Sequence, residues 1–539
     1  MEELKTNVLY YGDNLDILRK YIPDESVDLI YLDPPFNSKK DYNILFKETS
    51  GLESEAQIHA FTDTWHWTQS AQDTYQELIL KAPAKVAKLI DSLHSAIGQN
   101  DVMAYLVMMT IRLQELHRVL KPTGSLYLHC DPSASHYLKI VLDQIFGPVN
   151  FKNEIVWKRT TAHNDPRRFG RIHDILLFYA KSAKTTWNSV FMPYDSDYVD
   201  TYYRYTDENG KRFLSDNLTA PSHGSNSGQY EWHGILPPQG RMWSYTKENM
   251  EKLEKEGRIF YTKNDYPRLK RYLEDMPGMP AQSIWADIVN IRSWNKEDLG
   301  YETQKPSALL ERIIQASSKE GDIVLDPFCG CGTAVVAAQK LNRKWIGIDV
   351  THLAIGLMRT RLKDSCSINV EVIGEPVDLE SARALAHQKD RYQFQWWAVG
   401  KLDARLVGEQ KKGADKGIDG ILSFIDGTDN KAQRIIVQVK SGHVGATTIR
   451  ELKDVSSKEA MGVLITLEEP TAPMLKEALA AGKYHSPVWN KDYNKIQIIT
   501  IEELLKGKTV DMPPQTQTNI TFAKAPKVKR KEGDQLKNL

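Results

Sequence analysis

Two short stretches hold residue types that could do chemistry at a fixed geometry. Asp33-Pro34-Pro35-Phe36 is an acid on a loop stiffened by two prolines and closed by an aromatic ring. The Asp33 carboxylate and the Pro34 carbonyl are hydrogen-bond acceptors, and Phe36 offers a flat apolar face. Asp326-Pro327-Phe328-Cys329-Gly330-Cys331-Gly332-Thr333 is a glycine turn. Glycine there lets backbone N–H groups come close to a small ligand, and the helix that follows favours negative charge at its amino end. Taken singly, the first stretch also reads as an ordinary turn. The second also reads as a plain tight turn or a dinucleotide site, although the longer glycine fingerprint of that class is missing. A third constellation lies downstream, with Asp419 ahead of one strand and Gln438-x-Lys440 within the next. Strand alternation puts Gln438 and Lys440 on one face. A turn-capping Asp419 and a solvated Lys440 are the plainer alternative.

The elements around these residues follow from periodicity. Val27 to Leu32 reads as a buried strand that delivers Asp33 at its carboxyl end, and Val8 to Asp13 as a short strand and turn. From about 52 to 100 the pattern is helical and looks inserted. A helix over Met103 to Leu120 stops at the turn signal Lys121-Pro122-Thr123-Gly124, before a strand from Ser125 to His129. A helix from Tyr137 to Phe146 and strands Glu154 to Trp157 and Ile175 to Tyr179 continue the alternation. Regularity dissolves between about Ala183 and Asn295. It returns with a helix from Leu309 to Ser317, strand Ile323 to Leu325, helix Ala334 to Leu341, strand Trp345 to Ile348 and helix Leu353 to Leu362. Such alternation implies a doubly wound α/β sheet assembled from both flanks of the irregular region. Asp349 closes a strand roughly 20 residues after the glycine turn, where an acid in such folds accepts from ribose hydroxyls.

At 539 residues the chain exceeds one core. Its 70 basic and 70 acidic residues cancel, so any grip on nucleic acid depends on local basic faces. The strongest cluster is Lys158, Arg159, Arg167, Arg168 and Arg171, readable as a phosphate grip or as a solvated face. Four cysteines, two of them in the glycine turn, argue against a disulfide framework and fit a reducing cytoplasm. Cys329 and Cys331 read as small packing residues. No apolar run approaches the roughly 18 residues of a membrane span, so no membrane association is expected.

In this order the two turns resemble the catalytic and cofactor loops of S-adenosylmethionine-dependent DNA amino-methyltransferases. Placing the catalytic loop first is similar to the circularly permuted β class, which includes modification subunits of type III restriction systems. The resemblance implies a Rossmann-like sheet and a cofactor pocket built from Asp13, Lys305, Asp326, Phe328, Gly330, Gly332, Thr333 and Asp349. Asp13 would reach the adenine amino group of the cofactor, Lys305 its carboxylate, and Asp349 its ribose. Asp33, Pro34, Pro35 and Phe36 would act on the target: the first two accept from its amino protons, and Phe36 stacks a base flipped from the duplex. Cys331 stands where the family usually has serine. Carbon-5 cytosine methylation is a poor fit, since no Pro-Cys occurs in the chain. An aspartate heading the tetrapeptide leans toward adenine N6 and leaves cytosine N4 open.

The downstream constellation resembles the Mrr-like branch of the restriction-endonuclease fold. That resemblance implies Mg²⁺ on Asp419 and Gln438, Lys440 steadying water or charge, and Glu409 as a further acid. The expected organisation is a catalytic half at 1–182, a target-recognition region at 183–300 carrying Trp187, Tyr202, Tyr203, Tyr205, Trp232, Trp243 and Tyr245, and a cofactor half at 301–377. A linker at 378–391, a nuclease-like α/β domain at 392–511 and a basic disordered tail at 512–539 complete it. The expected partner is double-stranded DNA, with a homodimer or a separate restriction subunit. The expected function is methylation fused to a Mg²⁺-dependent nuclease; the alternative is a methyltransferase whose C-terminal domain only binds DNA.

Overall fold

The computed structural model describes residues 4–35, 66–132, 134–161, 167, 169–222, 228–291, 304–387, 391–406, 417–426 and 432–514. The chain divides into a larger unit, Met1–Asn188 with Ser283–Leu539, and a smaller one, Ser189–Gln282. Phe36, Arg168, Glu409, most of the expected tail and part of the expected helical insert lie outside the described residues.

The larger unit is organised on a nine-stranded sheet. Its order is Ile284–Trp285, Phe151–Lys158, His173–Ala180, Leu120–Cys130, Val27–Leu32, Ile323–Asp326, Lys344–Asp349, Val8–Tyr11 and Glu371–Ile373. Every pairing is parallel except those of His173–Ala180, which runs antiparallel to both neighbours. Strands buried on both faces read as near-continuous apolar runs, as Val27–Leu32 does. One apolar cluster includes the inner face of the helix Asp101–Val119. The other gathers Ser307–Ser317, Thr333–Lys340 and His352–Cys366.

Strands from the later half enter between strands of the earlier half. Ile323–Asp326 lies beside Val27–Leu32, with Leu325 opposite Ile30, and Lys344–Asp349 lies beside Val8–Tyr11. In place of the turn expected at Lys121-Pro122-Thr123-Gly124, Leu120–Cys130 runs unbroken, with a register shift against Val27–Leu32. Gly124 permits this: an added Cβ there would sit 2.9 Å from the Asp28 carbonyl oxygen. The helical insert appears as Gln69–Lys81 and Ala84–Ile97, each burying a narrow apolar stripe.

The smaller unit has an antiparallel sheet in the order Ile259–Tyr261, Pro267–Tyr272, Arg212–Asn217, Tyr205–Thr206. Strands this short carry too few alternations to be read from sequence. Leu218, Trp232, Trp243, Met250, Ile259 and Leu269 form its core, so part of the aromatic richness expected to serve recognition is packing instead.

The C-terminal part of the larger unit has a sheet ordered Arg405–Leu406, Gly420–Ile425, Ala432–Lys440, Met461–Thr466, Ile496–Thr500. The first two pairings are antiparallel and the last two parallel. The segment expected as a polar linker contains a helix, Leu379–Ala386, started by an Asp378–Ser381 capping box, and its Ala382 and Leu385 enter the core of this domain. A helix, Arg391–Lys401, gives way to the edge strand Arg405–Leu406, with Asp403 at φ 53° in the turn between them.

Candidate active site

Strand order brings four turns to one edge of the large sheet. Asp33 follows Val27–Leu32, Asp326 ends the neighbouring strand, Asp349 ends the next, and Gly12-Asp13 follow Val8–Tyr11. In open α/β sheets this carboxyl edge is where ligands bind. The glycine turn is shaped for its place. Gly330 and Gly332 have φ of 48° and 76°, and a Cβ on Gly332 would sit 2.5 Å from Met358 Cγ. Asp349 accepts from the Gly330 N–H at 2.9 Å through one oxygen, and from the Thr351 N–H at 2.9 Å through the other. Its carboxylate therefore braces the turn. Thr333 opens the helix, and its hydroxyl accepts from buried Arg361 at 3.1 Å.

Asp13 caps the helix Asn14–Tyr21 by accepting from the Leu15 N–H. It also accepts from Arg112 Nη2 at 2.8 and 2.9 Å. Arg112 is buried, and its Nε donates to Asn14, whose amide donates to the Pro327 carbonyl at 2.8 Å. This chain ties the first turn of the sequence to the glycine turn. Sequence reasoning missed both Arg112 and Asn14. The available signal was one arginine inside the apolar run from Val107 to Leu113.

Lys305, expected beside the cofactor carboxylate, donates to Asp33 Oδ2. Pro34 is buried and Pro35 half-buried. Under this loop His129 bridges two groups: its Nδ1 lies 3.0 Å from the Tyr31 hydroxyl and its Nε2 lies 3.2 Å from Asp174. Burial, then the nearby Asp33 and Asp326, pushes the Tyr31 phenol well above its usual range. Burial opposes ionisation of Asp174, yet His129, Lys305 and Arg159 outweigh it and hold that carboxyl low. Asp326 is displaced the other way: burial, with Asp33 and Asp349 close by, pushes its carboxyl well above the usual range. Phe328 is half-buried, and its N–H donates to Asp326 at 3.1 Å. Cys329 and Cys331 are buried, and burial raises both thiols; the Cys329 thiol points at the Ile348 carbonyl, 3.0 Å away.

Asp13, Asp33, Asp326 and Asp349 converge on this edge. Arg112 pairs with Asp13 and Lys305 with Asp33, and burial raises Asp326 and Asp349, so the edge offers hydrogen-bond acceptors to a ligand with amine and hydroxyl donors rather than a strong negative field. Further along the sheet, Lys158 and Arg159 line a cleft of about 150 Å³ with Thr160, Thr161 and Asn290. Arg167 and Arg171 are exposed.

In the C-terminal domain the register of Gly420 opposite Val437 brings Asp419 up to Gln438. The Asp419 N–H donates to the Val437 carbonyl at 2.9 Å, and its Oδ2 accepts from the Val439 N–H at 2.7 Å. Gln438 is buried, and Lys440 ends its strand half-buried. Among the described residues the donor set for Mg²⁺ is poor: one carboxylate already engaged by backbone, one neutral amide, and a lysine. Among the described residues no three His, Cys, Asp or Glu side chains cluster as metal ligands.

Comparison with known proteins follows this division. Residues 27–356 match the N6/N4 methyltransferase family model, described as DNA methylase. Residues 391–506 match a model described as NACHT-associated inactive restriction endonuclease 1. The chain is 30% identical to the type II methyltransferase M.EcaI of Enterobacter cloacae over 354 residues, 65% of this chain and 68% of that protein. It is 27% identical to the StyLTI Mod subunit, a type III restriction-modification enzyme of Salmonella typhimurium, over 63% of this chain and half of that one. DNA adenine methyltransferase YhdJ of Escherichia coli K12 is 27% identical over 66% of this chain and 83% of its own length. Because the first family match spans more than half of the chain and takes in both turns, the chain belongs to the DNA methylase family of the N6/N4 methyltransferases.

Proposed function

We propose that the chain methylates adenine N6 in specific sequences of double-stranded DNA, as the modification activity of a permuted, β-class-like restriction–modification enzyme. The observation that carries this is the pairing of Val27–Leu32 with Ile323–Asp326, which sets the Asp33 loop beside the glycine turn. S-adenosylmethionine, when bound, supplies an electrophilic methyl group on sulfur. Its amine and hydroxyl donors suit this acceptor-rich edge, with Asp349 and Asp13 as acceptors and the 330–333 turn beneath. An exocyclic amine is a poor nucleophile because its lone pair is delocalised into the ring. Asp33 and the Pro34 carbonyl accept from its two protons, localise the pair and aim it; the proton released after transfer passes to Asp33. Asp33 as first residue of its tetrapeptide and the likeness to an adenine methyltransferase support adenine over cytosine.

The C-terminal domain is read as a nuclease fold that does not cut. Among the described residues, the engagement of Asp419 by backbone and the family description support this over Mg²⁺-dependent cleavage. Asp33→Ala should abolish methylation of DNA, read by modified-base sequencing, while the cofactor still binds. Wild-type turnover by that variant would sink the assignment.

A further inference from the structure

A set of polar contacts, buried at His352 and Gln393 and exposed at its rim, joins the methyltransferase and C-terminal parts of the larger unit just after Asp349. His352 opens the helix His352–Cys366, and its N–H, one of the donors a helix start leaves without an intrahelical partner, reaches Gln393 Oε1 at 3.1 Å. Gln393 belongs to Arg391–Lys401, the helix that opens the C-terminal family match and packs on His352–Cys366. Lys401, at the other end of that helix, reaches Glu375 at 2.9 Å, and Lys363 reaches Asp403 at 2.9 Å. His352 also touches the other side of the site. Its ring stacks on Tyr11 with centroids 3.7 Å apart and planes 19° apart, and Tyr11 leads directly into Gly12-Asp13. His352 thus follows directly from the Asp349 turn and packs its ring on the strand end that leads into Gly12-Asp13, while a side chain from the C-terminal domain holds its N–H.

We propose that the C-terminal domain is part of the cofactor-binding apparatus, with Gln393 a positioning residue that sets the Asp349–His352 turn. This rests on the cofactor reading given above. The Gln393 oxygen satisfies a buried N–H three residues after Asp349. Without it that N–H has no acceptor, the helix start shifts to find one, and Asp349 and Tyr11 shift with it. A nuclease-like domain that does not cut is then retained because the pocket is incomplete without its first helix. A purely cementing role for Gln393 would lower stability and leave cofactor affinity alone.

The test uses full-length Gln393→Leu and Gln393→Glu, with S-adenosylmethionine affinity by calorimetry, steady-state kinetics and thermal melting. Gln393→Leu should raise the Kd and KM for S-adenosylmethionine about tenfold with kcat within about twofold. Gln393→Glu, whose carboxylate accepts from the same N–H, should restore both. Native Kd in Gln393→Leu, or a Gln393→Glu as weak as Gln393→Leu, overturns the proposal. If Gln393→Leu does not fold, Gln393→Asn, with the amide one methylene short, is measured instead, and native affinity there overturns it equally. Asp349→Ala is the control: if it binds the cofactor normally, the cofactor reading itself has failed, a result distinct from failure at Gln393.

Discussion

Lys305 donates to the Asp33 carboxylate across 272 residues of sequence, so the Asp33 loop is held by the segment that leads into the helix Ser307–Ser317. If that contact serves Asp33, Lys305→Met should lower kcat about tenfold or more while the S-adenosylmethionine Kd stays within about twofold. Single-turnover kinetics beside calorimetry checks this. A large loss of cofactor affinity with kcat intact would return Lys305 to the cofactor carboxylate.

Arg112 and Asp13 should respond unequally to removal. Arg112 is buried, whereas the Asp13 side chain is 37% exposed. Asp13→Ala therefore strands a buried guanidinium and should destabilise the protein by about 2 kcal/mol or more, while Arg112→Met leaves a carboxylate that water can still reach and should lose less. Urea unfolding of the two variants reads the difference directly; equal losses would contradict the asymmetry.

The junction should weaken in acid. Burial alone would raise the Glu375 pKa, but His352, Lys401 and Arg359 bring it down to about 2. A folded pKa below the unfolded value, about 4.3, means stability present at neutral pH and lost as pH falls from there toward about 2. The upper bound is about 3 kcal/mol. Burial also depresses the His352 pKa, and that contribution drains from about pH 6.5 downward. Unfolding free energies measured from pH 7 to 3 should show both, and Lys401→Met should shrink the lower part. An unchanged profile in Lys401→Met would refute the Glu375 assignment.

The C-terminal domain should leave DNA intact. With Mg²⁺ or Mn²⁺, neither methylated nor unmethylated substrate should be cleaved on gels. Asp419→Ala should still lower stability by about 1 kcal/mol through the lost Val439 contact. Cleavage that Lys440→Ala abolishes would restore the nuclease reading.

What the sequence determined by itself was local. Val27–Leu32 is apolar but for Asp28, Asp33 follows it, and Gly330 and Gly332 sit where only a left-handed backbone closes the turn, so strand, acid and turn were legible from residue type and spacing. The short strands of the smaller unit were not, nor was Leu379–Ala386, which is held by a capping box and a few buried contacts rather than by a long apolar stripe. Only tertiary structure decided which turns meet. Strand pairing inserted Ile323–Asp326 beside Val27–Leu32, set Lys305 on Asp33, threaded Arg112 through Asn14 to Pro327, and brought Gln393 to His352. These contacts join residues 41 to 313 positions apart, and a side chain's local pattern records its burial and not its partner.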